Sequence, residues 1–359
     1  MKKRLWLIMA AALLLLLLAA CSASQPEADG RQITDSVGRS VSLPEQIDNI
    51  SCVCPFSGSM IVLFGYGDQL TTGCKNMTRS ALLNSICPGI SDLTVAKNSG
   101  SLNAETILEH GADVIFVNQG TYEDADQRAK LDAIGIPYVV VGYETLDEQL
   151  DAVAVIGAAL GTEEEAARYI DWANSIMSRV EEGCRDIPDS EKPRIYHSVN
   201  EAVRTDYQGS ICAEWIALTG AENVSLTSGG LTLEGDKAYT TLEQIYVWEP
   251  DLMICNEAGV DDYILSDAKW TGLKCVEEGR VYQIPIGTSR MGHPTSTETP
   301  LALLWLAELL YPDHFDIDFS QELKDYYREF YDYQIDEETV DAILEGDEMR
   351  AAKTGSGME

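Results

Sequence analysis

Lys97, Arg204 and Arg290 are cations in loops that follow short β-rich runs, in a chain dominated by acids. In open α/β sheets, ligands bind at the loops beyond the carboxyl ends of the strands. Cations in such loops are therefore placed to meet an anionic ligand through charge-assisted hydrogen bonds. Each has a plainer alternative, a surface ion pair with a neighbouring carboxylate, worth only about 0–1 kcal/mol. Tyr122, Tyr207 and Tyr239 fall in the same kind of segment and offer aromatic faces and phenolic hydroxyls. Two glutamates, Glu105 and Glu243, sit in the first turns of expected helices. There the helix dipole favours a carboxylate by about 0.3–1 kcal/mol, which would explain either one alone.

Catalytic chemistry lacks its minimum parts. The chain has no Gly-x-Ser-x-Gly elbow, no His-Glu-x-x-His helix and no Gly-x-Gly-x-x-Gly after a strand, which argues against nucleophilic, zinc-dependent and dinucleotide enzymes. Four histidines (His110, His197, His293 and His314) are too few for a histidine-rich cage around a bare transition-metal ion. Beyond Cys21 there are eight cysteines and no Cys-x-x-Cys pair. Small buried core residues are the simpler reading of these thiols, with a Cys74–Cys87 bridge as the alternative in an oxidising compartment. Cys52 and Cys54 would share one face of a strand. The formal net charge of −34 repels nucleic acid and anionic lipid headgroups.

These residues must be positioned by a chain of 359 residues, 45% hydrophobic, long enough for two compact domains. Short β-rich runs at 50–53, 70–73, 113–117 and 137–141 alternate with helical periodicity at 58–64, 103–110 and 123–134, a grammar of βα units on a parallel sheet. It restarts after Ile187, with strands at 194–199, 251–255 and 280–285 and helices at 210–219, 242–248 and 297–310. Trp215, mid-helix, is expected to face the core. Met291-Gly292-His293-Pro294 reads as a turn, followed by an N-cap at Thr295 or Ser296. Between the two lobes, Thr162 can cap a helix opened by Glu163, Glu164 and Glu165 and running to about Cys184; at 1.5 Å per residue it spans about 33 Å and resists hinge closure.

An echo links the lobes. Asn103 to Ile115 aligns with Thr241 to Met253, so that Glu105 meets Glu243, Ile107 meets Ile245 and Asp113 meets Asp251. Recurrence at equivalent places exceeds what helix capping requires, and suggests paired acidic surfaces for a partner with two-fold symmetry.

The amino terminus reads as an address. Lys2, Lys3 and Arg4 precede an apolar run from Leu5 to Leu18, and the segment closes with Leu18-Ala19-Ala20-Cys21. Small residues before Cys21 suit signal-peptidase access, with Cys21 then carrying the lipid; an uncleaved anchor is the alternative, the run being borderline in length. Either way the bulk lies outside the cytoplasm. The expected organisation is a signal peptide at 1–20, a lipidated Cys and tether at 21–30 and an N-terminal α/β lobe at 31–160. A linking helix at 161–187, a C-terminal α/β lobe with closing helices at 188–350 and a flexible tail at 351–359 complete it.

The opening Ile33-Thr34-Asp35-Ser36-Val37-Gly38-Arg39, the Ser101-Leu102-Asn103-Ala104-Glu105 and Thr241-Leu242-Glu243-Gln244-Ile245 turns, and Gly279-Arg280-Val281-Tyr282-Gln283-Ile284-Pro285 resemble the substrate-binding lipoproteins of ABC importers that carry ferric siderophores, haem and cobalamin. The resemblance covers nearly all of Ile33 to about Tyr331. It implies two parallel-sheet α/β lobes joined by one long helix, a ligand cleft between them that opens little, and no catalysis or resident cofactor. It also implies partners, a permease dimer with its ATPase subunits, and makes Glu105 and Glu243 the residues that pair with permease arginines. At Pro55-Phe56-Ser57-Gly58-Ser59-Met60 the acidic residue common in relatives is missing, which makes that turn cleft wall rather than docking surface. The cleft cations favour an anionic iron chelate. Haem, with Tyr122, Tyr207, Met291 or His293 as axial ligand, and cobalamin, stacked on Trp215, Tyr122 or Tyr207, remain alternatives. So does a sensory or adhesive lipoprotein uncoupled from transport.

Overall fold

The computed structural model describes residues 30–346 and 349, apart from Ser99, Ser228 and Asp236. The signal peptide, Cys21, the tether up to residue 29 and the tail at 351–359 lie outside the described residues.

The first lobe is built on five parallel strands, β1 (Ile50–Cys52), β2 (Leu70–Gly73), β3 (Thr94–Val95), β4 (Val114–Asn118) and β5 (Tyr138–Val141), in spatial order β3-β2-β1-β4-β5. Val114, Ile115, Phe116 and Val117 are all fully buried, because helices cover both faces of a parallel sheet and leave no polar alternation. The second lobe has four parallel strands, β6 (Arg194–Ser198), β7 (Glu222–Asn223), β8 (Leu252–Cys255) and β9 (Val281–Gln283), in order β7-β6-β8-β9. This is the two-lobed parallel α/β architecture expected from the sequence.

The opening motif acquires a physical reason. An antiparallel hairpin, Gly30–Thr34 with Ser40–Pro44, carries a turn held by buried Asp35. Its carboxylate accepts from the Val37, Arg39 and Val140 amides and pairs with the Arg39 guanidinium at 2.8 Å. Arg39 in turn lies over the Tyr122 and Tyr138 rings. The hairpin is thereby fastened to β5, covering a sheet edge that would otherwise be open to pairing.

The echoed aspartates do the same work in each lobe. Asp113 accepts from the Asp48 and Asn49 amides at 2.9 and 2.8 Å, and Asp251 accepts from the Arg194 amide at 2.8 Å. Each thus fixes the entry of its strand against the neighbouring strand. Ahead of them, Asn103 and Thr241 cap the two equivalent helices, Ala104–Glu109 and Leu242–Trp248, by accepting from the third helical amide. Ile107 and Ile245 are fully buried while Glu105 and Glu243 are exposed.

The linking helix runs Glu163–Cys184. Thr162 does not cap it with its side chain, and its hydroxyl is buried without a partner. The preceding helix, Leu146–Leu160, ends at Gly161 in the left-handed conformation and turns straight into the linker, so the Thr162 amide bonds Gly157 O instead. Tyr169, Trp172, Tyr326 and Phe330 form an aromatic cluster that clamps the linker to the helix Phe319–Tyr331. One apolar core runs through residues of both lobes and the linker. Three further expectations shift. Strand β1 ends at Cys52, since Cys54 is the N-cap of helix Pro55–Leu63 with Pro55 at its first position. The helix after the Met291–Pro294 turn begins at Thr299, with Glu298 rather than Thr295 or Ser296 at its N-cap. The eight cysteines of the described residues are free and buried, with no Cys74–Cys87 bridge. No helix among the described residues is long and apolar enough to cross a membrane.

Candidate ligand site between the lobes

In the first lobe the strand order reverses between β1 and β4; in the second it reverses between β6 and β8. At such a switch point the loops leave the sheet in opposite directions and open a crevice. The two crevices face each other across a cavity of about 560 Å³, within the ordinary range for a small-molecule site. Cys54, Pro55, Asn118 and Gly120 contribute from the first lobe, with Gly142–Glu144 after β5; Val199 and residues 204–212 contribute from the second. His293, Pro294 and Thr295 close the floor. Pro55 is thus cleft wall, as the missing acidic residue suggested.

The floor is tied from both sides. Tyr143 Oη and Gln149 Nε2 donate to Pro294 O at 2.8 and 3.2 Å, and the Leu146 amide donates to Glu214 Oε2 at 2.7 Å. Trp215 is fully buried, and its Nε1 donates to Gly292 O at 3.0 Å. Gly292 has φ +69, and a Cβ there would lie 2.6 Å from the Trp215 ring, so only glycine fits. Met291 is fully buried in the core, which removes it and Trp215 from the groups a haem or corrin could reach.

The three cations take different positions. Arg204 lines the cavity, and its Nε is buried with no hydrogen-bond partner among the described residues. Tyr207 lines the same wall, and Tyr239 stands beside Arg204 as its register partner across an antiparallel strand pair. Lys97 is set back from the cavity. Its ammonium donates to Asn118 Oδ1 at 3.2 Å and to the Thr121 hydroxyl, and burial pulls its pKa below the ordinary lysine value. Asn118, which it holds, lines the cavity. Arg290 is buried, its guanidinium donating to Glu257 Oε2 at 2.6 Å and to Asn200 Oδ1; it lines a narrower hollow that shares Pro55, His293 and Thr295 with the main cavity. Tyr122 packs under Arg39 at the hairpin turn, with Arg128 on it as well.

Three further residues, two of them in the cavity wall, carried no sequence signal. His197, mid-strand in β6, Asp206 and Cys212 are all buried. His197 Nδ1 lies 3.0 Å from Asp206 Oδ2, and Asn223 Nδ2 donates to the same oxygen at 2.7 Å. Cys212 Sγ donates to Gly292 O at 3.3 Å, and burial, with Asp206 nearby, pushes the thiol well above its ordinary pKa.

Residues 61–286 match the periplasmic binding protein family, and the chain belongs to it. Its members are solute-binding proteins rather than enzymes, and this chain is a substrate-binding protein of the ABC importer type, a class that works outside the cytoplasm with a permease and an ATPase. Among curated relatives, the molybdate-binding protein MolA of Haemophilus influenzae is 22% identical over 326 residues, covering 84% of this chain and 91% of the relative. The uncharacterized ABC transporter substrate-binding lipoprotein YvrC of Bacillus subtilis is 21% identical over 329 residues, covering 88% and 99%. A periplasmic solute binding protein of Veillonella parvula has the same fold, with a TM-score of 0.75, 24% identity and coverage of 88% and 96%.

Proposed function

We propose that this chain is a lipid-anchored receptor that captures an anionic ferric chelate of the siderophore type between its lobes. It then hands the chelate to a permease dimer through Glu105 and Glu243. The observation that carries the reading is Arg204, which lines a cavity of about 560 Å³ and whose Nε is buried with no hydrogen-bond partner among the described residues. A guanidinium left unpaired in a partly dry wall is stabilised by an anion that supplies the missing acceptor. Asn118, held by Lys97, and the phenols of Tyr207 and Tyr239 add polar and aromatic contacts on the two sides.

A compact oxyanion is the second reading, favoured by the relative named for molybdate; the cavity volume favours the larger chelate. Isothermal titration of the protein with a ferric catecholate, a ferric hydroxamate, molybdate, haem and cyanocobalamin separates them. Submicromolar 1:1 binding of a ferric chelate supports the proposal. Binding of molybdate alone replaces it with the oxyanion reading, haem or cobalamin binding replaces the ligand class, and silence towards all five overturns the proposed ligand.

A further inference from the structure

We infer that His197, Asp206 and Cys212 form a site for a borderline divalent transition-metal ion, such as Zn²⁺, Ni²⁺ or Co²⁺, in the wall of the cleft. One nitrogen, one carboxylate oxygen and one sulfur lie within 4.8 Å of one another. Donor atoms around a tetrahedral zinc stand about 3.3–3.6 Å apart, so side-chain adjustments of about 1 Å would close this set on an ion. The mixed donor set needs a single histidine. The scarcity of histidine in the sequence, which argues against a histidine cage, does not bear on it.

The imidazole nitrogen that faces Asp206 is Nδ1. It stands 3.0 Å from Asp206 Oδ2, close to the donor separation around a tetrahedral ion, and all three side chains are buried. The surroundings are those of an oriented ligand. Asn223 donates to Asp206 Oδ2, and Trp215 packs edge-on against the imidazole at 6.0 Å; outer contacts of this kind fix the orientation and basicity of metal ligands. Asp206 and Cys212 also line the cavity, which gives the ion a way in and leaves its fourth position turned to the cleft. Coordination forms a metal–sulfur bond, and the Cys212 proton leaves to solvent.

The inference uses the cavity but not the chelate, so its test is run without chelate. Full-length protein, purified in detergent and stripped of metal, is titrated with Co²⁺. Expected are one cobalt per chain, a four-coordinate ligand-field spectrum and a thiolate-to-cobalt charge-transfer band. Cys212→Ser abolishes that band and, like His197→Gln, weakens binding at least tenfold, while Cys184→Ser, at a buried thiol elsewhere, changes nothing. Should the variants misfold, X-ray absorption of the cobalt-loaded wild type decides. One sulfur with nitrogen and oxygen donors supports the site. An all-oxygen and nitrogen shell, substoichiometric binding, or unchanged binding in folded variants overturns it and leaves a hydrogen-bonded structural trio. None of these outcomes alters the chelate titration, which tests the receptor reading separately.

Discussion

Arg204 and Arg290 look alike in the sequence, each a cation after a strand in an acidic chain, yet their surroundings give them opposite expected behaviour. Arg204 lines the cavity and its buried Nε has no partner among the described residues, whereas Arg290 is committed to Glu257 in the interior. Arg204→Gln is therefore expected to weaken ligand binding at least tenfold, about 1.4 kcal/mol, with unfolding free energy changed by no more than about 0.5 kcal/mol. Arg290→Gln removes the arginine that neutralises a buried carboxylate, which costs about 3–5 kcal/mol of stability and leaves the affinity of the folded fraction unchanged. Urea unfolding and ligand titration of the two variants check both; the reverse pattern would exchange their roles. No sequence rule separates these arginines, because the distinction lies in Glu257 and Asn200, 33 and 90 residues away. His197 and Cys212 are hidden for a related reason. A histidine inside an apolar strand and a cysteine inside an apolar helix match the pattern of core residues, and only the strand order brings them together.

At the scale of elements the sequence is most legible where hydrophobic period and strand order reinforce each other, as in the run Val114–Val117 and the linking helix. It is least legible at helix starts. Thr162 and Thr295 have good capping chemistry, but Gly161 and the Met291–Pro294 turn set where the chain can enter a helix. Glu298, which takes the N-cap instead, is the buried hub of that region. It accepts from the Thr288 and Ser289 amides at 3.0 Å each and from the Tyr327 hydroxyl. Burial raises its pKa above the ordinary carboxyl value, and these donors only partly oppose the shift. The folded chain thus holds this proton more tightly than the unfolded chain, whose glutamate titrates near about 4.3. The resulting stabilisation is fully present below that pH and is lost as pH rises through the raised folded value. Unfolding free energy of wild type minus Glu298→Gln, measured in denaturant across a pH series, should therefore fall with rising pH. A rising difference would mean that the donors outweigh burial and hold the carboxylate ionised.

Across the whole molecule, a core continuous through both lobes, the aromatic clamp on the linker and the hydrogen bonds at the cleft floor oppose large hinge motion. A receptor that changes little on binding presents nearly the same outer surface with and without ligand, so a partner must recognise fixed features of the two lobes. The echoed helices supply such features: each begins with a side-chain cap, buries its isoleucine and exposes its glutamate. This pairing was readable in the sequence because two copies of one pattern constrain each other. The ligand was not, because it depends on contacts among loops that follow no period. If Glu105 and Glu243 dock the permease, Glu105→Lys with Glu243→Lys should abolish uptake in cells while ligand affinity stays within about threefold, or about 0.7 kcal/mol. Both glutamates are exposed, so the double variant should also melt as the wild type does. Each single reversal should leave one lobe engaged and weaken uptake less than the pair. Full uptake by the double variant would place the docking surface elsewhere on the lobes. Lost uptake together with lost affinity would mean that these helices act through the cleft and not through the partner.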